Sequence, residues 1–171
     1  MSVKLKPFTM KCLIRFVFFL VSFFVLNSCS KEKTDTPLCP QNSIISMKIN
    51  GVEKQFQIAG IEINYNNSES GQTLIIDLFN GILQPKQDSY AIKFRVPYEK
   101  TGSNLIREMS YFRVQSPTSI TGNFEQRQLQ SNVTINTNTC FSATFSGSAI
   151  IEGKEIIITE GIINHIYTYP F

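Results

Sequence analysis

The run Cys140–Ile151 constrains the fold of this chain more than any other segment. Apolar and polar side chains alternate over its twelve residues, with Ser and Thr at most of the polar positions. The apolar positions are Phe141, Ala143, Phe145, Gly147, Ala149 and Ile151. Side chains that repeat with a period of two lie on one face of a β-strand, whereas an amphipathic helix needs a period of about 3.6. The run therefore predicts a long strand with one buried face.

The same alternation recurs in shorter runs between residue 43 and the end of the chain. Asn50-Gly51 separates Ser43–Ile49 from Val52–Ile58. This dipeptide predicts a hairpin, because both residues tolerate positive φ. Further strands are predicted at Ile61–Tyr65, Thr73–Phe79, Tyr90–Val96, Ile106–Val114, Phe124–Leu129, Val133–Thr137, Glu155–Thr159 and Ile162–Tyr169, the last two separated by a break at Gly161. We therefore expect an all-β fold, an antiparallel β-sandwich or partly closed barrel of about 8–10 short strands.

Residues 1–28 have the three parts of a secretory signal. The first part is basic and contains no acidic residue; its basic residues are Lys4, Lys6, Lys11 and Arg15. The apolar run Phe16–Leu26 follows, and a short polar stretch ends at Ser28. The apolar run has 11 residues, whereas a membrane-spanning helix needs about 20. The segment therefore indicates a cleaved signal peptide rather than a transmembrane helix.

The four residues Leu26-Asn27-Ser28-Cys29 fit a lipobox, the site at which a bacterial lipoprotein precursor is cut and lipidated. Leu26 supplies the aliphatic residue and Ser28 the small residue that precede the lipidated cysteine. An ordinary signal with an incidental cysteine is the alternative, but the spacing favours lipidation of Cys29. Two or three acyl chains would hold the protein on a membrane, because each buried CH₂ contributes about 0.8 kcal/mol.

These features predict three regions: a signal peptide at 1–28, a lipidated tether at 29–42 and a single all-β domain at 43–171. The tether is polar and contains Pro37, a composition typical of a flexible linker. The cysteine is followed by Ser30 and not by the Asp that favours inner-membrane retention in enterobacterial lipoproteins. We therefore expect an outer-membrane lipoprotein of the cell envelope, with the leaflet left open.

The cysteines indicate a disulfide. Cys12 leaves with the signal and Cys29 carries the lipid, so Cys39 and Cys140 are the thiols that remain. An even pair in an exported domain predicts a bridge between them. Two separate buried thiols, or one reactive thiol, are the alternatives. A bridge would tie the end of the tether to a late strand.

The charge of the mature chain argues against nucleic acid as a partner. The formal net charge is +3, but four of the 16 basic residues lie in residues 1–28. The rest of the chain has 12 basic and 13 acidic residues, and the basic residues form no stripe. Nucleic-acid-binding domains carry a basic patch or stripe that neutralises phosphates.

Several segments resemble a known group of proteins. The segments are Ser46–Gly51 followed by Phe56, Phe141–Gly147, and Ile156–Gly161. Together with the lipobox, they resemble small uncharacterised all-β lipoproteins of Bacteroidota, which open with a "KING"-like hairpin and close with an "FSGTFSF…ITDG"-like hairpin. Here Ala143 replaces a usual Gly, and Glu160 replaces a usual Asp or Asn. The resemblance implies an envelope location and an all-β fold, and it implies no activity.

The sequence contains no motif that predicts a catalytic residue or a metal ligand. We therefore expect no cofactor. His165 is the single histidine, and one histidine cannot build the usual multi-histidine metal site. The serines between Phe141 and Ser148 follow the spacing of a strand face and not that of a nucleophile elbow. His165 is therefore interpreted as a pairing or surface residue.

Three weaker sets of residues remain as candidates. A pair of carboxylates could hydrolyse glycosides; the acids considered are Glu53, Glu62, Asp77, Glu99, Glu152 and Glu155. A basic patch could form from Lys93, Arg95, Arg107 and Arg113, although solvated charges on a sheet face are the commoner outcome. Tyr167, Tyr169 and Phe171 could stack on a sugar, or cover the end of the core.

The function favoured by these observations is that of a lipid-anchored cell-envelope β-domain without enzymatic activity. It would bind a protein or glycan partner or a ligand, or serve envelope structure, and it would contact the membrane through its lipid. A lipocalin-like carrier of a small apolar ligand is the alternative, and a carboxylate-pair envelope hydrolase is a third hypothesis.

Lipidation of Cys29 leads to a direct prediction. Metabolic labelling with a palmitate analogue should mark the wild-type protein and leave Cys29→Ala unmarked, because the thiol is the acceptor of the diacylglycerol group. The label is read on the purified protein after gel separation. Equal labelling of the two proteins would refute the lipobox assignment.

Overall fold

The structure is a computed structural model, and it describes residues 38–65, 71–81, 88–115 and 117–171. Within these ranges the chain forms eleven β-strands. They are β1 (Ile44–Ile49), β2 (Val52–Gln55), β3 (Gln57–Asn64), β4 (Thr73–Asn80), β5 (Ser89–Pro97), β6 (Gly102–Ser103), β7 (Glu108–Gln115), β8 (Thr118–Glu125), β9 (Leu129–Asn136), β10 (Cys140–Ile151) and β11 (Lys154–Ile166). The predicted signal peptide at 1–28, and the boundary between signal and tether, lie outside the described residues.

The strands form two antiparallel sheets packed face to face. One sheet has six strands in the order β2-β1-β11-β10-β9-β6, and the other has five in the order β3-β4-β5-β7-β8. The sheets do not close into a barrel. The predicted all-β fold is therefore confirmed, and of the two predicted architectures the structure has the sandwich, with eleven strands rather than about 8–10. The predicted strand Cys140–Ile151 is confirmed with the same bounds, and its alternation places Phe141, Ala143 and Phe145 in the core.

The first hairpin forms as the Asn-Gly dipeptide predicts. Asn50 has a φ of 49° and Gly51 a φ of 80°, so both central residues of the turn lie in the left-handed region. The Asn50 N–H donates to the carbonyl of Ile157, and the Ile157 N–H donates to Asn50 Oδ1, both at 2.8 Å. The turn is thus fixed to β11 as well as to its own two strands.

The predicted strand Val52–Ile58 is wrong as a single element. The chain leaves the six-stranded sheet after Gln55 and enters the five-stranded sheet at Gln57, where β3 continues to Asn64. Phe56 lies between the two strands with its side chain buried in the core, and its N–H donates to Ile45 O at 2.8 Å. A single apolar residue therefore carries the chain from one layer to the other. Alternation alone does not reveal such a change of sheet.

Two other strand predictions are also corrected. The predicted strand Phe124–Leu129 is the end of β8, a short 3₁₀ turn at Gln126–Gln128 and the start of β9. The side chain of Gln128 accepts the Glu125 N–H at 2.8 Å and so caps this turn. The predicted break at Gly161 is absent, because β11 runs through it. Glu160, at a φ of 52°, is instead the extra residue of a β-bulge.

The centre of the core joins the two sheets through Phe145. Its ring meets that of Phe94, on the five-stranded sheet, edge to face at a centroid distance of 4.9 Å. The same ring covers Gly161 on the neighbouring strand. A Cβ at Gly161 would lie 2.6 Å from two of the ring carbons, which is closer than carbon atoms can approach. Gly161 is thus required by packing rather than by a turn.

Gly161→Ala should therefore displace the Phe145 ring and lower the free energy of unfolding by about 1–3 kcal/mol, as overpacked cores do. Chemical or thermal unfolding of the disulfide-intact protein measures the change. Gly60→Ala is the matched control, because the added Cβ on β3 would find its nearest neighbour, Asp77 Oδ2, at 3.5 Å. Equal unfolding midpoints for the two variants would contradict this account of the core.

Candidate functional site

The predicted disulfide is present in the structure. Cys39 and Cys140 form a disulfide with a Cα–Cα distance of 5.8 Å, across 101 positions of sequence. Cys140 is the first residue of β10, so the bridge fixes the segment before β1 to the centre of the six-stranded sheet. Cys29, the predicted lipidation site, lies outside the described residues.

The six acidic residues considered for hydrolysis lie on separate strands and turns. Glu53 accepts a hydrogen bond from Gln55 at 3.0 Å, and Glu152 accepts one from the Thr121 N–H at 3.0 Å. Asp77 lies on β4 beside Lys93, with 3.4 Å between Oδ1 and Nζ. Glu62 is on β3, Glu99 is in the turn after β5, and Glu155 is on β11.

The four basic residues of the hypothesised patch do not share one face of the sheet. Arg107 is exposed just before β7, and its N–H donates to Arg95 O at 2.9 Å. Lys93 and Arg95 lie on the outer face of β5, each beside an acidic residue of a neighbouring strand. Arg113 lies on the other face of the sheet, where it pairs with Asp88 at 2.9 Å and covers the ring of Tyr90. The four residues therefore do not form a single patch, and Lys93, Arg95 and Arg113 are each paired with a carboxylate.

His165 lies half-buried on β11, opposite Phe141 of β10. Its ring packs beside that of Tyr167 at a centroid distance of 5.7 Å. Burial lowers the pKa of His165 below its ordinary value of 6.5, because desolvation disfavours the charged imidazolium. Within the described ranges, no group of three or more His, Cys, Asp or Glu side chains could hold a metal ion.

The outer face of the five-stranded sheet carries side chains in ordered rows across the strands. The first is the aromatic row, in which Phe79 of β4 pairs with Ala91 of β5, Ala91 with Phe112 of β7, and Phe112 with Thr121 of β8. Phe112 is 42% exposed, a large fraction for a Phe side chain within a sheet. Ala91 leaves a gap between the two phenyl rings.

Next to it lies the polar row, formed by Asp77, Lys93, Ser110 and Asn123 in the same register. This row contains a carboxylate, an ammonium group, a hydroxyl and an amide, so it supplies both donors and acceptors. Asp77 and Lys93 form an ion pair, and their charges cancel. A third row contains Arg95 and Glu108, which are also paired, at 3.5 Å between Nε and Oε2. The charges of Asp77, Lys93, Arg95 and Glu108 therefore balance one another beside the aromatic row.

A groove of about 640 Å³ runs between the aromatic and polar rows, with Ala59 of β3 at one end and Asn123 at the other. This volume lies within the range of about 300–1,000 Å³ that ligand sites occupy. Two other depressions, of about 750 and 700 Å³, are lined mainly by Ser, Asn, Gln and charged residues. Their described linings contain no exposed aromatic side chain. The groove is therefore the candidate functional site.

Phe79 and Phe112 are not among the functional residues that the sequence predicts. Phe112 lies between Tyr111 and Arg113 in a predicted strand, out of phase with the buried residues Met109 and Tyr111. A large aromatic residue at a polar position of an alternating strand is the sequence signal that could have predicted an exposed aromatic side chain here. The gap at Ala91 could not be found in this way, because it depends on the register between β4, β5 and β7.

Comparisons with protein-family models, with curated proteins and with solved structures find no match. Among the residues that the structure describes, no helix is long and apolar enough to cross a membrane.

The lowered pKa of His165 predicts a pH dependence of stability. The unfolded chain takes up a proton near pH 6.5, whereas the folded chain does so only at lower pH. The folded state therefore loses stability as the pH falls below 6.5 towards the folded pKa. His165→Gln keeps one donor and one acceptor and cannot titrate, so its melting temperature should fall less than that of the wild type between pH 7.5 and 5. Parallel pH profiles would contradict this assignment.

Proposed function

We propose that the protein is a lipid-anchored module of the cell envelope, without enzymatic activity, that binds an extended, uncharged glycan in the groove between its aromatic and polar rows. The observation that carries the proposal is the pair Phe79 and Phe112, which flank Ala91 beside a row of polar side chains. The apolar faces of sugar rings pack against aromatic side chains, while their hydroxyls need donors and acceptors close by.

The geometry of the aromatic row suits a ligand of more than one sugar ring. Phe79 and Phe112 lie on strands that are separated by a single strand, β5. Neighbouring strands are about 4.8 Å apart, so the two positions are about 10 Å apart. That spacing is close to the length of a disaccharide unit in an extended glycan. The small side chain of Ala91 leaves the floor between them open to the ligand.

The polar row supplies the directional contacts. The carboxylate of Asp77 accepts hydrogen bonds, the amide of Asn123 does both, and Ser110 can donate or accept one. These groups follow one line along the groove, parallel to the aromatic row. A chain of hydroxyl-bearing rings could therefore contact both rows along its length.

The charges favour an uncharged ligand. Lys93 is paired with Asp77 and Arg95 with Glu108, so the groove carries no excess charge of either sign. A polyanion such as nucleic acid, or an acidic peptide, would need unpaired basic residues. Neutral hydroxyls need only hydrogen-bond partners, which the polar row provides.

The envelope location rests on the lipobox at Cys29 and is supported by the disulfide. Disulfides persist in exported proteins and are rare in the reducing cytosol. The carrier alternative receives less support, because it needs an internal cavity in a closed barrel. The two sheets remain open at their edges, and Phe94, Phe124 and Phe145 fill the space between them.

A glycan array probed with the full chain tests the proposal. Phe112→Ala should lower the affinity for the glycan that is bound by tenfold or more, a loss of about 1.4 kcal/mol. Asn123→Ala should weaken binding as well. Ile150→Ala is the matched control, because Ile150 is 77% exposed on β10 of the other sheet. Its affinity should equal that of the wild type.

Several results would overturn the proposal. They are the absence of binding to any neutral glycan on the array, and equal affinities of wild type and Phe112→Ala for a glycan that does bind. Mass analysis of the recovered ligand tests the absence of catalysis, since a shortened glycan would identify the protein as a hydrolase. Melting curves for each variant show that a loss of affinity is not a loss of fold.

A further inference from the structure

One end of the sandwich carries a group of aromatic residues, which we call the aromatic end. Its members are Tyr65, Tyr98, Tyr167, Tyr169 and Phe171. Tyr98 follows β5, and Tyr167 follows β11. Tyr169 is 82% exposed, Tyr65 is 65% exposed and Phe171 is 46% exposed. Such a concentration of exposed rings at one end of a domain needs a physical explanation.

The aromatic end is an ordered part of the molecule. The ring of Phe171 meets those of Tyr167 and Tyr98 edge to face, at centroid distances of 4.8 and 6.3 Å. The Phe171 N–H donates to Asn138 O at 3.2 Å, and the Tyr167 N–H donates to Thr139 O at 2.9 Å. The C-terminal residues are therefore held against the loop between β9 and β10.

The disulfide brings the tether to this same end. Thr139 is the last residue of that loop, and Cys140, which begins β10, is bonded to Cys39. Cys39 Sγ also lies 3.5 Å from Thr139 Oγ1. Leu38, the residue before Cys39, is 90% exposed and adds an apolar side chain next to the disulfide. Any chain that leads from Cys39 towards the N-terminus therefore starts at the aromatic end.

We propose that the aromatic end lies on the surface of the membrane, with Tyr169 and Phe171 inserted among the lipid headgroups. This inference rests on the proposed lipid anchor at Cys29. Nine residues lie between Cys29 and Cys39, so the segment from one cysteine to the other spans at most about 35 Å. The thirteen residues of β11 extend over about 43 Å. The tether is thus shorter than the long axis of β11. This favours contact between the membrane and the aromatic end, because the tether leaves the domain at that end.

The chemistry of the aromatic end suits a lipid surface. Tyrosine rings combine an apolar body with a polar hydroxyl, and they are enriched at membrane interfaces for that reason. The charged residues that follow Tyr98 are Glu99 and Lys100, one of each sign. They create no net repulsion from either neutral or anionic lipids. A lipid surface is therefore the occupant that both the tether and the side chains favour.

This orientation leaves the proposed glycan groove accessible. Phe79 lies at the end of β4 and Ala91 at the start of β5, away from Tyr98 and the aromatic end. The aromatic row is consequently on the half of the sheet that faces away from the membrane. A bound glycan and the bilayer do not compete for the same surface.

Fluorescence quenching by brominated lipid tests the proposal, because the chain contains no Trp. The full lipidated protein is prepared with Tyr169→Trp, with Phe171→Trp, or with Val52→Trp as the control. Val52 is also exposed, and it adjoins the Asn50-Gly51 turn at the opposite end. Each protein is reconstituted into phosphatidylcholine vesicles with and without bromine on the acyl chains.

We expect bromine to reduce the emission of Tyr169→Trp and Phe171→Trp by about twofold, since interfacial aromatic rings reach the boundary with the acyl chains. The emission of Val52→Trp should not change. Equal quenching of the three variants, or quenching of none, overturns the proposal. Mass analysis and sedimentation with the vesicles report the lipid anchor separately. An unlipidated product refutes both the lipid anchor and this orientation. It does not bear on glycan binding, which the glycan array tests separately.

Discussion

The packing of the Phe145 ring is the interaction on which the rest of the fold depends. The ring lies over Gly161 of the neighbouring strand and meets Phe94 of the opposite sheet. It therefore sets both the register of β10 against β11 and the position of one sheet on the other. These two strands lie at the centre of the six-stranded sheet, so every other strand of that sheet is placed by them. The bulge at Glu160 shifts the register of β11 next to Gly161. Lys48 of β1 forms an ion pair with Glu160, with 2.6 Å between Nζ and Oε1.

The regular part of this fold could be predicted from its sequence because it depends on nearest neighbours along the chain. The alternation of Cys140–Ile151 and the Asn50-Gly51 turn are both local signals, and both predictions are confirmed. The errors at Phe56 and Gly161 have another origin. Phe56 changes sheet, and Gly161 makes room for a ring that is distant in sequence, so tertiary contacts decide the role of each. Glycine inside a strand has the same local appearance whether it ends the strand or packs beneath a ring.

The candidate groove, like the fold, has one feature that the local sequence predicts and others that depend on pairing between strands. Exposure of Phe112 follows from its phase within β7, which is a property of the local sequence. The row that it forms with Phe79 and Ala91 exists only because three strands pair in one register. The pairing of Lys93 with Asp77, and of Arg95 with Glu108, also depends on that register. Lys93 and Arg95, two of the residues that suggest a basic patch in the sequence, are therefore each paired with a carboxylate in the fold. The chemistry of a sheet face is decided by pairing between strands more than by composition.

The disulfide also determines how the protein would respond to mechanical force. A pull on the N-terminal segment reaches Cys39 first and passes through the bridge to Cys140, so it bypasses β1. Cys140 begins β10, which is held on both sides by β9 and β11. Drawn along its axis, this strand can move only if the hydrogen bonds on both sides yield together rather than one after another. A pull on the segment before Cys39 is thus resisted by a strand that is paired on both sides.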